Sequence, residues 1–326
     1  MKSLYKIIFS TSLSLGALGV SNADQINYPE RTIRFIVPFA AGGGTDILAR
    51  KIAADISVEL NTPVIIENKP GASGVIGVTN VIRAKNDGYT FLFTHSTTLI
   101  QHPLTLLTPT YNPKTDLLPV VELSRGQQVM VVNPSLPVSN LNEYVQYAKQ
   151  LGDKASFASW GQGTVAHYAG DYLNQIAKLK MLHVPYSGTA PVVQSVIGNE
   201  VPMGFIDPAS ARAQVAAGTL KAIAVAGETR SPALPDTPTF KEQGMPEMSP
   251  FGGWIGIFAP VNTPNSIIQV VADAAIKVVN EASTQSWMNE RGFVPTGISY
   301  AEVTQSMAKE IDLWEGIFDS IGVVKQ

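Results

Sequence analysis

A chain of 326 residues with 45% hydrophobic content is long enough to bury a core without external help, and its length favours two domains over one. A formal net charge of −3 leaves no basic surplus for nucleic acid or an anionic membrane. The absence of cysteine excludes disulfides, a thiol nucleophile, thiolate metal sites and a lipidated N-terminal cysteine.

Lys2 and Lys6 precede an apolar stretch from Ile7 to Val20, and Ser21-Asn22-Ala23 supplies small residues for cleavage, the pattern of a secretory signal peptide over 1–23. Its removal takes two lysines and no acid, so the mature chain from Asp24 carries a formal charge of −5. The stretch is too short to span a bilayer, and nothing later approaches about 20 uninterrupted apolar residues. The expected state is a freely diffusing protein in the periplasm of a Gram-negative bacterium.

The first unit of the mature chain is IRFIVPFAAGGGTDILAR, Ile33 to Arg50. Ile33, Phe35, Ile36 and Val37 read as a buried parallel strand that Pro38 ends. Ala40 to Gly44 is a loop without side-chain bulk, and Thr45 and Asp46 are helix-capping types before a periodic run of Ile47, Leu48, Ile52 and Ile56. A bare glycine loop at a helix N-terminus offers unpaired N–H groups and the positive end of the helix dipole, which together suit an anion.

The pattern then repeats. Val64 to Glu67 is a strand, Gly71-Ala72-Ser73-Gly74 a second glycine loop, and Val75 to Arg83 a helix with Ile76 and Ile82 inward. Phe91 to Phe93 delivers the hydroxyl-rich Thr94-His95-Ser96-Thr97-Thr98 to the carboxyl end of a strand, where α/β sheets bind ligands. Strands at Val120 to Leu123 and Val129 to Val132 flank a crossing between domains. A second α/β series follows: a helix from Leu141, a strand from Ser156 to Ala158, a glycine loop Ser159 to Thr164 opening a helix with His167, and strands at Val201 to Phe205, tipped by Asp207, and Leu220 to Val225. Trp254 to Phe258 carries the chain back, and helices from about Ser266 to Asn280 and Tyr300 to Ile317 cap the first domain.

Enzymatic motifs are poorly matched. Gly161-x-Gly163-x-x-Ala166 satisfies a dinucleotide fingerprint on its face, yet no Asp or Glu stands near Met181 to Pro185 for the ribose. No P-loop occurs, and Val75 takes the last glycine position of a nucleophile elbow at Gly71 to Gly74. His95, His102, His167 and His183 lack metal spacing; His183 reads as a strand-end histidine bonded to backbone, and His167 as packing on its own helix turn. What remains is a clamp of glycine loops, hydroxyls and helix N-termini, which suits a small carboxylate.

The residues resemble the periplasmic solute receptors of tripartite tricarboxylate transporters, often called Bug receptors. The similarity runs through Val37-Pro38-Phe39-Ala40-Ala41-Gly42-Gly43-Gly44-Thr45-Asp46, Glu67-Asn68-Lys69-Pro70-Gly71-Ala72-Ser73-Gly74, Asp87-Gly88-Tyr89-Thr90, Gly161-Gln162-Gly163-Thr164 with His167, His183-Val184-Pro185-Tyr186, and Arg230 to Thr239. It implies an α/β, two-domain periplasmic binding fold of type II-like architecture, with a ligand cleft between two Rossmann-like domains. The expected division is 24–124 with 253–326 as one domain and 125–252 as the other. It implies no enzymatic activity and no cofactor or metal. The ligand carboxylate would lie between Phe39, Ala40, Ala41, Gly43, Thr45 and Asp46 on one loop and Thr94, His95, Ser96 and Thr97 on another. The far wall would be Ser159, Gly161, Thr164, His167, Tyr186 and Asp207. The implied partners are a small carboxylate and the large and small membrane subunits of a permease, with a monomeric receptor that closes like a Venus flytrap.

Trp160 stands where many such receptors carry a small residue; its indole either roofs an apolar ligand or packs as core. Two rival readings are an exported hydrolase working through Asp207 and His167, and a receptor that docks a sensor instead of a permease.

Overall fold

The computed structural model describes residues 27–325 except Ala40 and Ser187; the expected signal peptide and Ala40 of the first loop lie outside the described residues. Among the described residues eleven strands form two sheets. In chain order they are β1 (Ile33–Val37), β2 (Val64–Asn68), β3 (Thr90–His95), β4 (Leu117–Arg125), β5 (Gln128–Val132), β6 (Ser156–Ser159), β7 (Leu182–Pro185), β8 (Met203–Ile206), β9 (Lys221–Ala226), β10 (Trp254–Pro260) and β11 (Val294–Ser299).

The first sheet has the order β11-β4-β10-β3-β1-β2 and the second β7-β6-β8-β5-β9. In the first, β1 lies between β2 and β3 and is parallel to both, whereas β10 is antiparallel to β3 and β4. In the second, β6 is parallel to β7 and β8, and β5 runs antiparallel to β8 and β9. The parallel strands therefore point their carboxyl ends, and the loops that follow, toward one edge of each sheet.

Both faces of each sheet are covered, which explains why β1, β3 and β5 read as near-continuous apolar runs. Ile33, Phe35 and Val37 face the helices Gly44–Glu59 and Asn265–Asn280, while Ile36 faces the opposite cluster with Val78, Val81 and Trp314. In β5, Val129 and Val131 pack with Val192 and Val196, and Met130 and Val132 with Phe157 and Phe205. That alternation is the period of two a strand imposes.

Two expected inward residues point out. Ile47 is 42% exposed and Ile76 is 52% exposed, and their helices dock through Leu48, Ile52 and Ile56 and through Val78 and Val81 instead. The first helix buries the other three residues of its expected run, and the second turns Val78 and Val81 inward in place of Ile76. The strand β11 and the helix Ala282–Glu290 carry no apolar period in the sequence and so are not expected from it. Mid-helix Gly170 is explained by packing: a Cβ there would lie 2.0 Å from the Phe157 ring. The clash, roughly 1–3 kcal/mol, outweighs the roughly 1 kcal/mol of helix propensity that alanine would add.

The chain passes between the sheets twice, from β4 to β5 and from the helical turn Pro246–Gly252 into β10. The two passages touch backbone to backbone: Gly126 N–H donates to Gly253 O at 3.1 Å, and a Cβ on Gly252 would lie 2.5 Å from Gly126 O. The contact is backbone on both sides, so neither can yield as a flexible side chain would. Gly252→Ala is expected to lower the unfolding free energy by roughly 1–3 kcal/mol in urea denaturation. An unchanged midpoint would mean that the passages are not in contact.

Candidate functional site

The first loop is shaped by a buried carboxylate. Asp46 is 2% exposed; its Oδ2 accepts from Gly42 N–H at 2.8 Å and from Arg50 Nε at 3.0 Å, and its Oδ1 accepts from Asn68 Nδ2 at 2.9 Å. Asn68, the last residue of β2, also donates to Phe39 O at 3.1 Å. Burial pushes the Asp46 carboxyl upward, but Arg50, the Gly42 N–H and Asn68 together outweigh it and hold it below the usual range. With its oxygens so engaged, Asp46 shapes the loop. The helix N-cap is Gly43, without a side-chain cap, so the capping types Thr45 and Asp46 fall inside the first turn. Ala41, Gly42, Gly43 and Gly44 are exposed and Thr45 is half-buried, which leaves the loop backbone open to solvent.

Two further loops close on the first. A Cβ built on Gly74 would meet Thr98 Cγ2 at 2.9 Å and Pro38 Cβ at 3.5 Å, so the ends of β1, β2 and β3 converge at one place. The Phe39 ring stacks on His95 with centroids 4.4 Å apart and 14° between planes. Ser96 Oγ accepts from Trp254 N–H at 3.3 Å. Beyond β3 the chain enters a π-helix, Thr97–Gln101, a form that strains the ladder and recurs at functional sites.

This tip holds a concentration of unpaired polar atoms. Thr94 Oγ1, His95 Nδ1, Thr98 Oγ1 and both amide atoms of Gln101 are buried and have no partner among the described residues. Buried groups of this kind are ordinarily satisfied by ordered water or ligand. Thr94, His95 and Ser96 were expected here, with Thr97 half-buried beside them. Gln101, fully buried, was missed; the only sequence signal is a polar amide after Leu99 and Ile100, without a recognised helix to place it on.

The second wall is built on β6. Ser159 is buried; its Oγ donates to Gly161 O at 3.0 Å and lies 2.7 Å from His183 Nε2. Thr164 caps the helix Val165–Ala177, and its Oγ1 donates to Gly161 O at 2.7 Å. His167 Nδ1 accepts from Gly163 N–H at 3.1 Å. Tyr186 is half-buried and its N–H donates to Ser159 O at 2.9 Å. His183 thus bonds a side chain, where a backbone partner was expected, and stacks on His167 with centroids 3.9 Å apart. Asp207 stands apart from this network: it caps the helix Pro208–Ala216 by accepting from Ser210 N–H and Ser210 Oγ, both at 2.8 Å. The two residues considered for a hydrolase are therefore engaged separately. Trp160 is half-buried, packs against the clusters on both faces of the second sheet, and donates from Nε1 to Gln128 Oε1 at 3.3 Å.

The two walls approach each other through the loop before β11. A Cβ on Gly292 would lie 2.8 Å from Pro208 Cβ, Arg212 Nη1 donates to Glu290 O at 3.1 Å, and a Cβ on Gly44 would lie 3.8 Å from Phe293 Cζ. Among the described residues no group of three or more His, Asp or Glu could hold a metal, and no helix is long and apolar enough to cross a membrane.

Two α/β sheets joined by a double passage, with polar loops at the carboxyl ends of their parallel strands, define the class of periplasmic binding proteins. Three solved structures align over most of the chain. BugD, described as a periplasmic binding protein, matches with a TM-score of 0.76 and 32% identity, covering 92% of this chain and 100% of its own. A Rhodopseudomonas palustris protein, Rpa4515 with adipate, gives 0.79 and 28%, covering 91% and 99%. MatC from the same organism, with bound malate, gives 0.74 and 29%, covering 89% and 99%. The family model for the tripartite tricarboxylate transporter family receptor matches residues 48–323, and the chain belongs to that family.

One titration follows from the first wall. Burial pushes the His95 imidazole down to about 4 from 6.5. The unfolded chain takes up this proton near 6.5 and the folded chain resists until about 4, so His95 gives its full stability above pH 6.5 and loses it as the pH falls toward 4. The upper bound is roughly 3 kcal/mol. His95→Phe keeps a ring to stack on Phe39 and removes the proton site; its unfolding free energy is expected to decline less than that of wild type between those pH values. Parallel curves would show that His95 does not carry the effect.

Proposed function

We propose that this chain is an extracytoplasmic receptor that closes two domains, 24–124 with 253–326 and 125–252, on a small carboxylate and delivers it to the large and small membrane subunits of a tripartite tricarboxylate-type permease. The observation that carries the reading is the buried tip of β3, where Thr94, His95, Thr98 and Gln101 hold unpaired polar atoms close to an exposed glycine loop at a helix N-terminus. Hydroxyl and amide donors next to that N-terminus complement a carboxylate without a cationic side chain, since charge-assisted hydrogen bonds to backbone N–H groups are strong and the helix dipole adds to them. The similar proteins solved with adipate and malate support an acid as the class of ligand.

In this reading the passages at Gly126 and Gly252 form the hinge. Closure is driven by the ligand, because only the closed form satisfies donors from both walls. The first loop with Thr94 to Thr97 takes the carboxylate. The turn from Ser159 to Thr164, with His167, Tyr186 and Asp207 behind it, forms the selective wall.

A thermal-shift and calorimetric screen of small acids, including adipate and malate, tests the class. An acid at about 100 times its dissociation constant adds roughly 2.7 kcal/mol to stability, and a screen in which no carboxylate shifts the melting temperature would defeat the proposal. Gly43 has a φ of −77°, which any residue adopts, so Gly43→Val is expected to fold normally while its side chain fills the space above the loop and abolishes binding. Unchanged affinity in the folded variant would place the ligand elsewhere.

Trp160→Ala separates packing from recognition. The half-buried indole and its bond to Gln128 favour packing. A stability loss of roughly 2–3 kcal/mol is expected, somewhat below that for a fully buried aromatic, with similar affinity changes for aromatic and compact acids. Selective loss of aromatic acids in a fully stable variant would make Trp160 a ligand contact.

A further inference from the structure

Behind the second wall a chain of polar contacts runs from the helix Val165–Ala177 through two imidazole rings into the turn from Ser159 to Thr164. His167 Nδ1 accepts from Gly163 N–H at 3.1 Å, so in this arrangement Nδ1 is bare. The ring's proton sits on Nε2, 3.0 Å from Asp171 Oδ2. The His183 ring stacks on His167 at 3.9 Å and 17°, and on Phe157 at 5.0 Å. With the Ser159 hydrogen directed at Gly161 O, His183 Nε2 is the donor to Ser159 Oγ, which also accepts from Gly161 N–H at 3.2 Å. Asp171 lies six residues into the helix, ~9 Å from its start, and so acts on the turn through His167.

We propose that Asp171 and His183 are positioning residues for ligand binding: through the stacked His167–His183 pair they hold the Ser159–Thr164 turn in its binding shape, and acid releases that turn. The proposal rests on the receptor reading above. Each glycine N–H of the turn is consumed by the network, Gly161 by Ser159 and Gly163 by His167, so the turn's backbone path is set by the hydrogen bonds of two stacked rings. A proton on His183 places a cation in that stack, where Asp171 is the countercharge and Phe157 and Ser159 of β6 offer none. Burial first, and His167 second, push the His183 imidazole down to about 4, while Asp171 pulls the other way, so this ring is neutral at pH 7 and takes up its proton toward pH 4.

Two measurements test this. In the ligand-free protein at pH 7, imidazole nitrogen NMR should show both rings protonated at Nε2 and bare at Nδ1, and Asp171→Ala should shift the His167 ring and Gly163 amide signals. In calorimetry with adipate and malate, Asp171→Ala should weaken binding about tenfold, the size of one hydrogen bond's net contribution. Asp171→Asn, which still accepts from His167 Nε2, should restore it. Between pH 7 and 3.5 wild type should lose affinity more steeply than His183→Gln, the titration of the acid being common to both. A lower unfolding midpoint for Asp171→Ala with unchanged affinity would reduce Asp171 to ordinary packing and overturn the proposal, as would identical pH profiles for wild type and His183→Gln. If neither acid binds, the choice of ligand fails and the NMR arm decides alone: unshifted Gly163 and His167 signals in Asp171→Ala overturn the network.

Discussion

The arrangement of this molecule hangs on one close approach, where the two passages between the sheets cross with Gly126 against Gly252. Every other side chain at either position would push the passages apart, and the relation of one wall to the other would move with them. The contact is flanked on both sides by fixed groups. Arg125, at the end of β4, forms a two-pronged pair with buried Glu122 at 2.9 and 2.8 Å, and Trp254, at the start of β10, donates to Glu310 of the C-terminal helix Tyr300–Ile321 at 2.7 Å. Burial pushes the Glu310 carboxyl up to about 7, against the opposing pull of the Trp254 N–H and of Arg125. The same helix reaches the helix Val165–Ala177 beside the second sheet through Trp314 and Phe318, whose rings lie 6.3 and 4.7 Å from Tyr168.

The two glycine turns of the candidate site are shaped by opposite means. The first is folded around a buried carboxylate, with Asp46 gathering donors from its own loop, its own helix and the tip of β2. The second is folded around two imidazoles, His183 bonded to Ser159 Oγ and His167 accepting from the Gly163 N–H. Both devices use side chains to consume some of the turn's N–H groups and leave the others free. A loop that kept all its donors unpaired would gain affinity for an anion, but it would have no fixed path, and ordering it on binding would cost roughly 1–2 kcal/mol per residue. The arginine nearest the first loop, Arg50, is spent on Asp46 and Asn68 and serves the loop's shape.

Legibility followed burial. The unit Ile33 to Arg50 was readable because a strand covered on both faces must be apolar throughout and a chain that turns sharply needs glycine, two requirements visible in composition alone. Helix facing was less readable. Ile76 has the right hydrophobicity, and only the position of the sheet decides that Val78 and Val81 are the residues to bury. β11 was invisible because its residues are all half-buried and pair with β4 through an irregular register, so neither an alternating nor a continuous apolar pattern marks it.

The sequence by itself determined the α/β class, the return of the chain to its first sheet, and the residue types of both walls, since each depends on local periodicity, turn chemistry or the order of motifs. It also carried the resemblance that the family match bears out. Tertiary structure alone decided which of those residues have their polar atoms engaged and which keep them without a partner. Asp46, Asp207 and His167 look like contacts in the sequence, yet each is bound to its own surroundings, while Gln101 looks like nothing and lies buried with both amide atoms free. The physical reason is that a polar side chain's role depends on whether its hydrogen bonds are already made, and the partners that make them, such as Asn68 for Asp46 or Gly163 for His167, are brought into reach only when the strands and loops have packed.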